Sequence, residues 1–153
     1  MRIGVISDTH GLLRPEAIAA LKGVDHILHA GDVGNAEILD VLRAIAPVTA
    51  IRGNIDKHGL CAELPPTEFI ELAGHNFYLL HDLAALDLDP TAAGVSAVIS
   101  GHSHKPAIEH RKGVLYFNPG SAGPRRFSLP ISLGILQISG PRIESQLIEL
   151  TEK

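Results

Sequence analysis

The first half of the chain alternates short apolar runs with segments of helical spacing, and this alternation limits the possible folds most. Three of the runs have the length of buried strands, namely residues 2–7, 24–30 and 48–52. Between them, Pro15 suits a first helical turn, Gly23 suits a helix end and Asn35 suits an N-cap. Strands that alternate with helices predict a parallel sheet with crossover connections.

The second half of the chain changes to a hairpin-like pattern. Residues 69–72 and 77–80 flank a turn at 73–76 that contains a glycine and an asparagine. Further strands are predicted at residues 96–100, 113–117, 131–139 and 142–150. These strands predict one mixed sheet or two stacked sheets with helices outside. We find no linker or internal repeat, so we expect a single domain over residues 1–153.

Charge and composition narrow the possible partners. The net charge is −4, from 13 Lys and Arg against 17 Asp and Glu, and the chain has no Trp. Such a chain lacks the basic surface and the stacking residues typical of proteins that bind a nucleic-acid scaffold. It has neither an apolar run of about 20 residues nor an obvious leader. We therefore expect a cytoplasmic protein that does not bind membranes.

Most strand-like runs are followed by a side chain that can bind a metal ion, usually beside a glycine. The residues concerned are Asp8, His10, Asp32, Asn54, His81, His102 and His104. In an extended segment, Asp8 and His10 would point to the same side and could reach one ion. Because ligands bind beyond the carboxyl ends of parallel strands, we expect these side chains to converge there.

The chemistry of these donors predicts the kind of ion. Carboxylate, amide and imidazole groups without thiolate suit Mn, Fe, Zn or Ni, and the set is too rich in nitrogen for Ca. Seven side chains exceed the needs of one ion that also binds water. Two divalent ions sharing a carboxylate would hold a bridging hydroxide for in-line attack at phosphorus. The donors therefore predict chemistry at a phosphate ester.

These motifs, taken in chain order, resemble those of calcineurin-like metallophosphoesterases, in the small single-domain bacterial and archaeal branch. The matching segments are Asp8-Thr-His10, Gly31-Asp32, Gly53-Asn54, His81, Gly101-His102-Ser103-His104 and Asn118-Pro-Gly-Ser121. The resemblance implies an α/β fold, a four-layer α/β/β/α sandwich of two mixed sheets flanked by helices. It also implies metal-dependent phosphodiesterase activity on a small phosphodiester, with Mn as the favoured ion.

The resemblance also assigns roles to single residues. One ion would be bound by Asp8, His10, Asp32 and His104, and a second ion, bridged by Asp32, by Asn54, His81 and His102. His10, Asp32 and Asn54 are the implied catalytic residues. Arg125 and Arg126, together with Asn54, are the implied substrate-binding residues, because a guanidinium suits phosphate oxygens.

The chain departs from the family pattern at two positions. Ile55 stands where many relatives carry a His that assists the leaving group, so His58 or Asp56 is a candidate replacement acid. Asp82 stands where a Gly is usual, and its side chain could crowd the second ion or hold His81 from behind. We therefore expect the second ion to bind more weakly than the first.

Two other functions remain open at this stage. On the same fold, a retromer subunit is a protein-interaction scaffold with a degraded metal site, whereas this chain keeps all seven donors. A metal or nucleotide sensor without turnover is the third possibility. Leu12, Leu13 and Leu60 are candidate contacts of a homo-oligomer.

Overall fold

A computed structural model describes residues 1–150, and within them ten strands form two five-stranded sheets. The strands are β1 (Arg2–Ile6), β2 (His26–His29), β3 (Val48–Ala50), β4 (Thr67–Leu72), β5 (His75–Leu80), β6 (Ala97–Ile99), β7 (Ala107–Arg111), β8 (Val114–Asn118), β9 (Ser132–Ser139) and β10 (Arg142–Glu149). The helices are α1 (Pro15–Ala20) and α2 (Ala36–Arg43), and two 3₁₀ turns span Gly59–Glu63 and Leu83–Ala85.

Both sheets are mixed. In the first sheet, of order β10-β9-β1-β2-β3, the strands β1, β2 and β3 are parallel, while β9 and β10 are added antiparallel. The second sheet has the order β4-β5-β6-β8-β7, with β5, β6 and β8 parallel. The parallel sheet predicted for the first half is thus confirmed, with α1 and α2 as its crossover helices.

The predicted four-layer sandwich of two mixed sheets is confirmed. One apolar core lies between the helices and the first sheet, around Leu21 and Leu42. A second core, around Phe77 and Phe117, lies between the two sheets. Tyr78 and Val98 belong to a third, smaller cluster on the outer face of the second sheet. These three cores separate four layers.

Helix content is low, because the fourth layer is mostly irregular. The outer face of the second sheet is covered by residues that include Leu83, Leu86, Leu88 and Val95. Within this segment only the short 3₁₀ turn Leu83–Ala85 is helical. The expectation of α-helices on both outer faces therefore holds for the first sheet alone, since Pro90 and Gly94 interrupt the covering segment.

Some element boundaries differ from those predicted. β7 was not expected, because all five of its residues are exposed and no buried face marks it in the sequence. It forms the edge of the second sheet and pairs with β8. The hairpin turn is tighter than predicted, since β4 and β5 extend to Leu72 and His75 and leave only Ala73 and Gly74 between them.

Three further expectations concern the extent of the domain, membrane-spanning helices and an oligomer contact. The predicted domain over residues 1–153 includes residues 151–153, which lie outside the described residues. From Met1 to Leu150, no helix has the length and apolar character needed to cross a membrane. Leu12 and Leu60 are exposed, at 39% and 68%, whereas Leu13 packs partly against the first core. An oligomer through these residues stays a prediction.

Candidate metal centre

The side chains predicted to bind metal lie just beyond the carboxyl ends of strands in both sheets. Asp8 and His10 follow β1, and Asp32 follows β2. Asn54 follows β3 on the same sheet, His81 follows β5, and His102 and His104 follow β6 on the other. The crevice between the two sheets therefore collects donors from both.

Two groups of three side chains are close enough to hold a metal ion. The first group is Asp8, His10 and His104, and the second is Asp8, Asp32 and His81; the ligand atoms within each group lie within 4.8 Å of one another. Asp8 Oδ1 lies 3.6 Å from His10 Nε2 and 3.4 Å from His104 Nε2. The same oxygen lies 3.8 Å from His81 Nε2.

Asp32 also faces both groups. Its Oδ2 lies 3.4 Å from His10 Nε2 and 3.2 Å from His81 Nε2. Asp8 is the residue that both three-membered groups share, whereas the family resemblance implies that Asp32 bridges. Both carboxylates are buried. Because each faces histidines of both groups, the arrangement allows one carboxylate to be shared by two ions.

His102 and Asn54 lie at the exposed rim of this cluster. The His102 side chain is 42% exposed, and its ring centroid lies 5.2 Å from that of His81. Asn54 is exposed and lines a cleft together with His81. The seven predicted ligands thus divide into a buried or half-buried cluster and two rim residues.

Some buried polar atoms in the crevice have no hydrogen-bond partner, as expected for side chains that bind a metal ion. Among residues 1–150, the buried side-chain atoms without a hydrogen-bond partner are Asp8 Oδ1, His10 Nε2, His81 Nε2 and His104 Nδ1. Burying a polar atom without a partner costs roughly 1–3 kcal/mol, so such atoms are rare without a function. All four belong to predicted ligands, and divalent ions in the crevice would satisfy Asp8 Oδ1, His10 Nε2 and His81 Nε2. In His104 the nitrogen that faces Asp8 is Nε2, at 3.4 Å, and the unpartnered atom is Nδ1.

A hydrogen bond to the backbone fixes the orientation of the His81 ring. Its Nδ1 lies 2.7 Å from the backbone oxygen of Ala30, to which it can only donate a proton. In the neutral ring, Nε2 then carries the lone pair and faces Asp32, as metal-binding histidines require. Burial lowers the pKa of His81, but Asp32, the Ala30 carbonyl and Asp8 outweigh it and raise the pKa overall.

Both carboxylates are held in the ionised form that metal binding needs. Burial raises the pKa of Asp8, but His10, the hydroxyl of Ser7 and the neighbouring imidazoles lower it overall. Burial likewise opposes ionisation of Asp32, yet His81 and the backbone N–H of Ile55 bring its pKa to about 2. The Ile55 amide donates to Asp32 Oδ1 at 3.0 Å, which leaves Oδ2 to face the imidazoles.

The backbone at these residues is unusual and corrects one expectation. Several of the predicted ligands have positive φ angles, namely Asp8 (55°), His10 (48°), Asp32 (56°), His102 (68°) and His104 (62°). The prediction that Asp8 and His10 converge from an extended segment is therefore wrong. They converge through left-handed turns, which residues other than glycine adopt at a cost, often at functional sites.

Two glycines beside the ligands allow the loops to approach closely. A Cβ atom on Gly53 would lie 2.2 Å from Asp32 Oδ1, and one on Gly101 would lie 2.6 Å from Asp8 Oδ2. Neither position tolerates a side chain, and glycine allows the backbone to approach the ligands closely.

Comparison with known proteins identifies the family. The family sequence model of the calcineurin-like phosphoesterase superfamily domain matches residues 1–140 of the chain. The chain belongs to this superfamily. It is 36% identical over 161 residues to a probable metallophosphoesterase of Methanothermobacter thermautotrophicus, an alignment that covers 97% of this chain and 92% of that protein. The protein is therefore a metal-dependent phosphoesterase.

Solved structures agree with this fold. An archaeal phosphodiesterase has a TM-score of 0.79 at 24% identity, covering 97% of this phosphoesterase and 100% of the other chain. Vps29 from Entamoeba histolytica, complexed with Zn²⁺, has a TM-score of 0.74 at 24% identity, covering 97% and 99% of the two chains. At this identity the likeness shows the fold alone.

Asp56 stabilises the loops of the site in this phosphoesterase through hydrogen bonds to their backbone. The prediction that Asp56 replaces the missing leaving-group acid is not supported. It is buried, and its Oδ2 accepts hydrogen bonds from the N–H groups of Val33 (3.1 Å) and Gly53 (2.9 Å). Its Oδ1 accepts from Gly34 N–H at 2.9 Å. With its oxygens engaged, Asp56 holds together the loops that carry Asp32 and Asn54.

The other candidate acid and the predicted arginines lie at the surface. His58 is exposed and immediately precedes the 3₁₀ turn Gly59–Glu63. Arg125 and Arg126 are also exposed. Burial lowers the pKa of His104, and the charge of Arg126 lowers it further. Arg126 is therefore close enough to the crevice to affect a predicted ligand.

The Asn118–Ser121 segment closes one side of the crevice. Asn118 Nδ2 donates to the Gly101 carbonyl at 2.9 Å and to Ser103 Oγ at 3.2 Å. Ser121 Oγ donates to the Asp8 carbonyl at 3.0 Å. The segment thus ties the loop of His102 and His104 to the loop of Asp8.

Proposed function

We propose that this phosphoesterase hydrolyses phosphodiesters at a centre of two divalent ions. The observation that carries the proposal is the pair of ligand groups that share Asp8, together with the unpartnered atoms that both groups contain. The two groups share Asp8 but contain different histidines, His10 and His104 in one and His81 in the other. Two ions account for both.

The first ion would be bound by Asp8, His10 and His104, with Asp32 beside them. The second would be bound by Asp32, His81 and the two rim residues, His102 and Asn54. All donors are oxygen or imidazole nitrogen, which suits Mn best and allows Fe, Zn or Ni. Vps29, a protein of the same fold, is known as a complex with Zn²⁺, which supports a divalent metal ion on this fold.

Divalent ions, when bound, would acidify water and withdraw charge from the phosphoryl oxygens. The protein's own residues position the reaction. Asp8 and Asp32 stay ionised, and the contact with Ala30 presents the unprotonated Nε2 of His81. Asn54, at the rim, would donate its amide to a phosphoryl oxygen, while Arg125 and Arg126 would orient the substrate from the surface.

A turnover assay tests this proposal. Metal-loaded protein is incubated with bis-p-nitrophenyl phosphate, beside the same protein treated with a chelator and an Asp32→Ala variant. We expect turnover by the loaded protein, little by the chelated protein, and a loss of at least about 100-fold in Asp32→Ala. A loaded, folded protein without turnover of this diester would reject the proposal.

A non-catalytic role is the alternative. The fold is shared with Vps29, and this favours a protein-interaction scaffold or a metal or nucleotide sensor if turnover is absent. The buried, unpartnered ligand atoms speak for catalysis, because a scaffold would gain stability by replacing them with apolar groups.

A further inference from the structure

Two clefts open on the rim of the metal centre and meet at one residue, Asp82. The smaller cleft, of about 230 Å³, passes His102 and is walled by apolar and aromatic residues, among them Leu83, Tyr116 and Phe117. The larger cleft, of about 400 Å³, passes Asn54 and His81. Asp82 lines both clefts.

The carboxylate of Asp82 is held in a defined position. Its Oδ1 accepts a hydrogen bond from the N–H of Ala84 at 3.0 Å and so caps the 3₁₀ turn Leu83–Ala85. Its Oδ2 lies 3.8 Å from His102 Nε2. Oδ1 therefore caps the turn, and Oδ2 places negative charge at the rim of the metal centre.

Other charged side chains also line the two clefts. The clefts carry the carboxylates Asp82, Asp87 and Glu109 against the cations Arg52 and Lys105. Arg52 donates to the carbonyl of Leu64 at 3.2 Å and is thereby committed to the backbone. Glu109 pairs with Arg111. The negative charge that lies beside a predicted metal ligand on this side is that of Asp82, whose Oδ2 is 3.8 Å from His102 Nε2.

We propose that Asp82 is a specificity-determining residue that favours singly charged phosphodiesters over doubly charged phosphomonoesters; this rests on the proposed function. Near neutral pH a phosphomonoester carries a second negative charge, because its second pKa is about 6, whereas a diester carries one. The rim carboxylate repels the additional charge. A diester also has two ester groups for the two clefts, the smaller of which suits an aromatic or apolar group.

The Asp82→Asn variant tests the charge separately from the turn. Asparagine retains a side-chain oxygen that can accept from the Ala84 N–H, and it removes the negative charge. Asp89→Asn is the matched control, because Asp89 caps a turn in the same way, accepting from Thr91 N–H at 3.1 Å, and lines neither cleft. Asp82→Gly removes both the charge and the cap.

The first readout compares kcat/KM for bis-p-nitrophenyl phosphate with kcat/KM for p-nitrophenyl phosphate. We expect Asp82→Asn to lower the diester-to-monoester ratio about three- to tenfold, mainly by a gain with the monoester, and added salt to shrink the difference. Asp89→Asn should retain the wild-type ratio. An unchanged ratio in Asp82→Asn overturns the inference, as does a change confined to Asp82→Gly, which would make Asp82 a turn cap only.

The second readout is binding, measured by calorimetry with metal-loaded protein. Inorganic phosphate should bind several-fold more tightly to Asp82→Asn than to the wild type, while diphenyl phosphate should bind about equally to both. Metal content is measured in the same samples. Equal gains for both ligands, or loss of metal from Asp82→Asn, would contradict the inference. If the wild type turns over neither substrate, the proposed function fails, and phosphate binding still decides the role of Asp82.

Discussion

Thr9 Oγ1 lies 3.0 Å from Nε2 of His29, a histidine that is completely buried beneath the metal centre. The Thr9 hydroxyl donates its own proton to the Val33 carbonyl at 2.9 Å, so it accepts from the imidazole. On the other side of the ring, Gly31 N–H donates to Nδ1 at 3.1 Å. Both contacts require neutral His29 with its proton on Nε2. This ring joins the Asp8–His10 loop to the Gly31–Asp32 loop.

The neutral state of His29 predicts a loss of stability in mild acid. Burial lowers the pKa of His29 from 6.5 to about 4 in the folded protein. As the pH falls below 6.5, the unfolded chain gains a proton that the folded protein does not bind until about pH 4. The free energy of unfolding of metal-free protein should therefore drop over this window by about 3 kcal/mol from this residue. Urea unfolding at a series of pH values measures the drop.

The control for this prediction is a difference between variants. His29→Gln should show a flatter pH dependence than the wild type, whereas His110→Gln, at an exposed position, should run parallel to it. His81 has the opposite effect, because its pKa is raised in the folded protein. It adds to the free energy of unfolding below pH 6.5, and this contribution is lost as the pH rises through the pKa of the folded state. Parallel curves for His29→Gln and the wild type would show that His29 is not held neutral.

Asp56→Asn should weaken both the fold and the reaction. An amide cannot accept from all three N–H groups that the carboxylate binds, so at least one buried donor loses its partner. We expect a loss of about 2–3 kcal/mol in the free energy of unfolding, and a fall in kcat where the protein remains folded. Asp40→Asn is the control, since Asp40 is exposed and pairs with the side chain of Arg43 at 3.2 Å. Wild-type stability in Asp56→Asn would refute this role.

Asn118→Asp should impair the centre without unfolding the chain. The substitution replaces a donor with an acceptor opposite the carbonyl of Gly101, which displaces the loop of His102 and His104. We expect reduced metal affinity and turnover with little change in the circular dichroism spectrum. In Asn76→Asp the same change breaks a similar bond, 3.0 Å from Nδ2 to the Gly94 carbonyl, far from the centre. Equal metal affinity in the two variants would count against the prediction.

Metal titration should reveal two unequal binding events. The side chains proposed to bind the first ion are buried or half-buried, whereas the proposed second ion also depends on two exposed rim residues, His102 and Asn54. Calorimetry with Mn²⁺ should therefore show one tight and one weaker site. His102→Ala should remove the weaker event alone, and His104→Ala should remove the tighter one. Equal affinities, or loss of both events in His102→Ala, would contradict this division.

Much of the site was predictable because its ligands follow apolar strands. Asp32 comes directly after β2, and a parallel neighbour brings Asp8 to the same edge of the sheet. The positive φ angles at these residues were not predictable. They are imposed by contacts distant in sequence, such as that from Asp8 N–H to the Gly31 carbonyl at 3.0 Å, which no local pattern encodes.

The supporting residues were harder to recognise for the same reason. Asp56 and His29 look like ordinary loop and strand residues, and only the folded structure brings backbone N–H groups to their side chains. β7 escaped prediction because an exposed edge strand needs no apolar alternation. The outer layer over the second sheet likewise has apolar residues without helical continuity.

Anomalous X-ray diffraction from crystals grown with Mn²⁺ tests the central claim most directly, because it locates the ions. We predict two peaks about 3.5–4 Å apart in the crevice, both in contact with a carboxylate of Asp8 or Asp32. His10 and His104 should contact one ion, and His81 and His102 the other. A single peak at full occupancy, or peaks outside this crevice, would contradict the proposed two-ion centre.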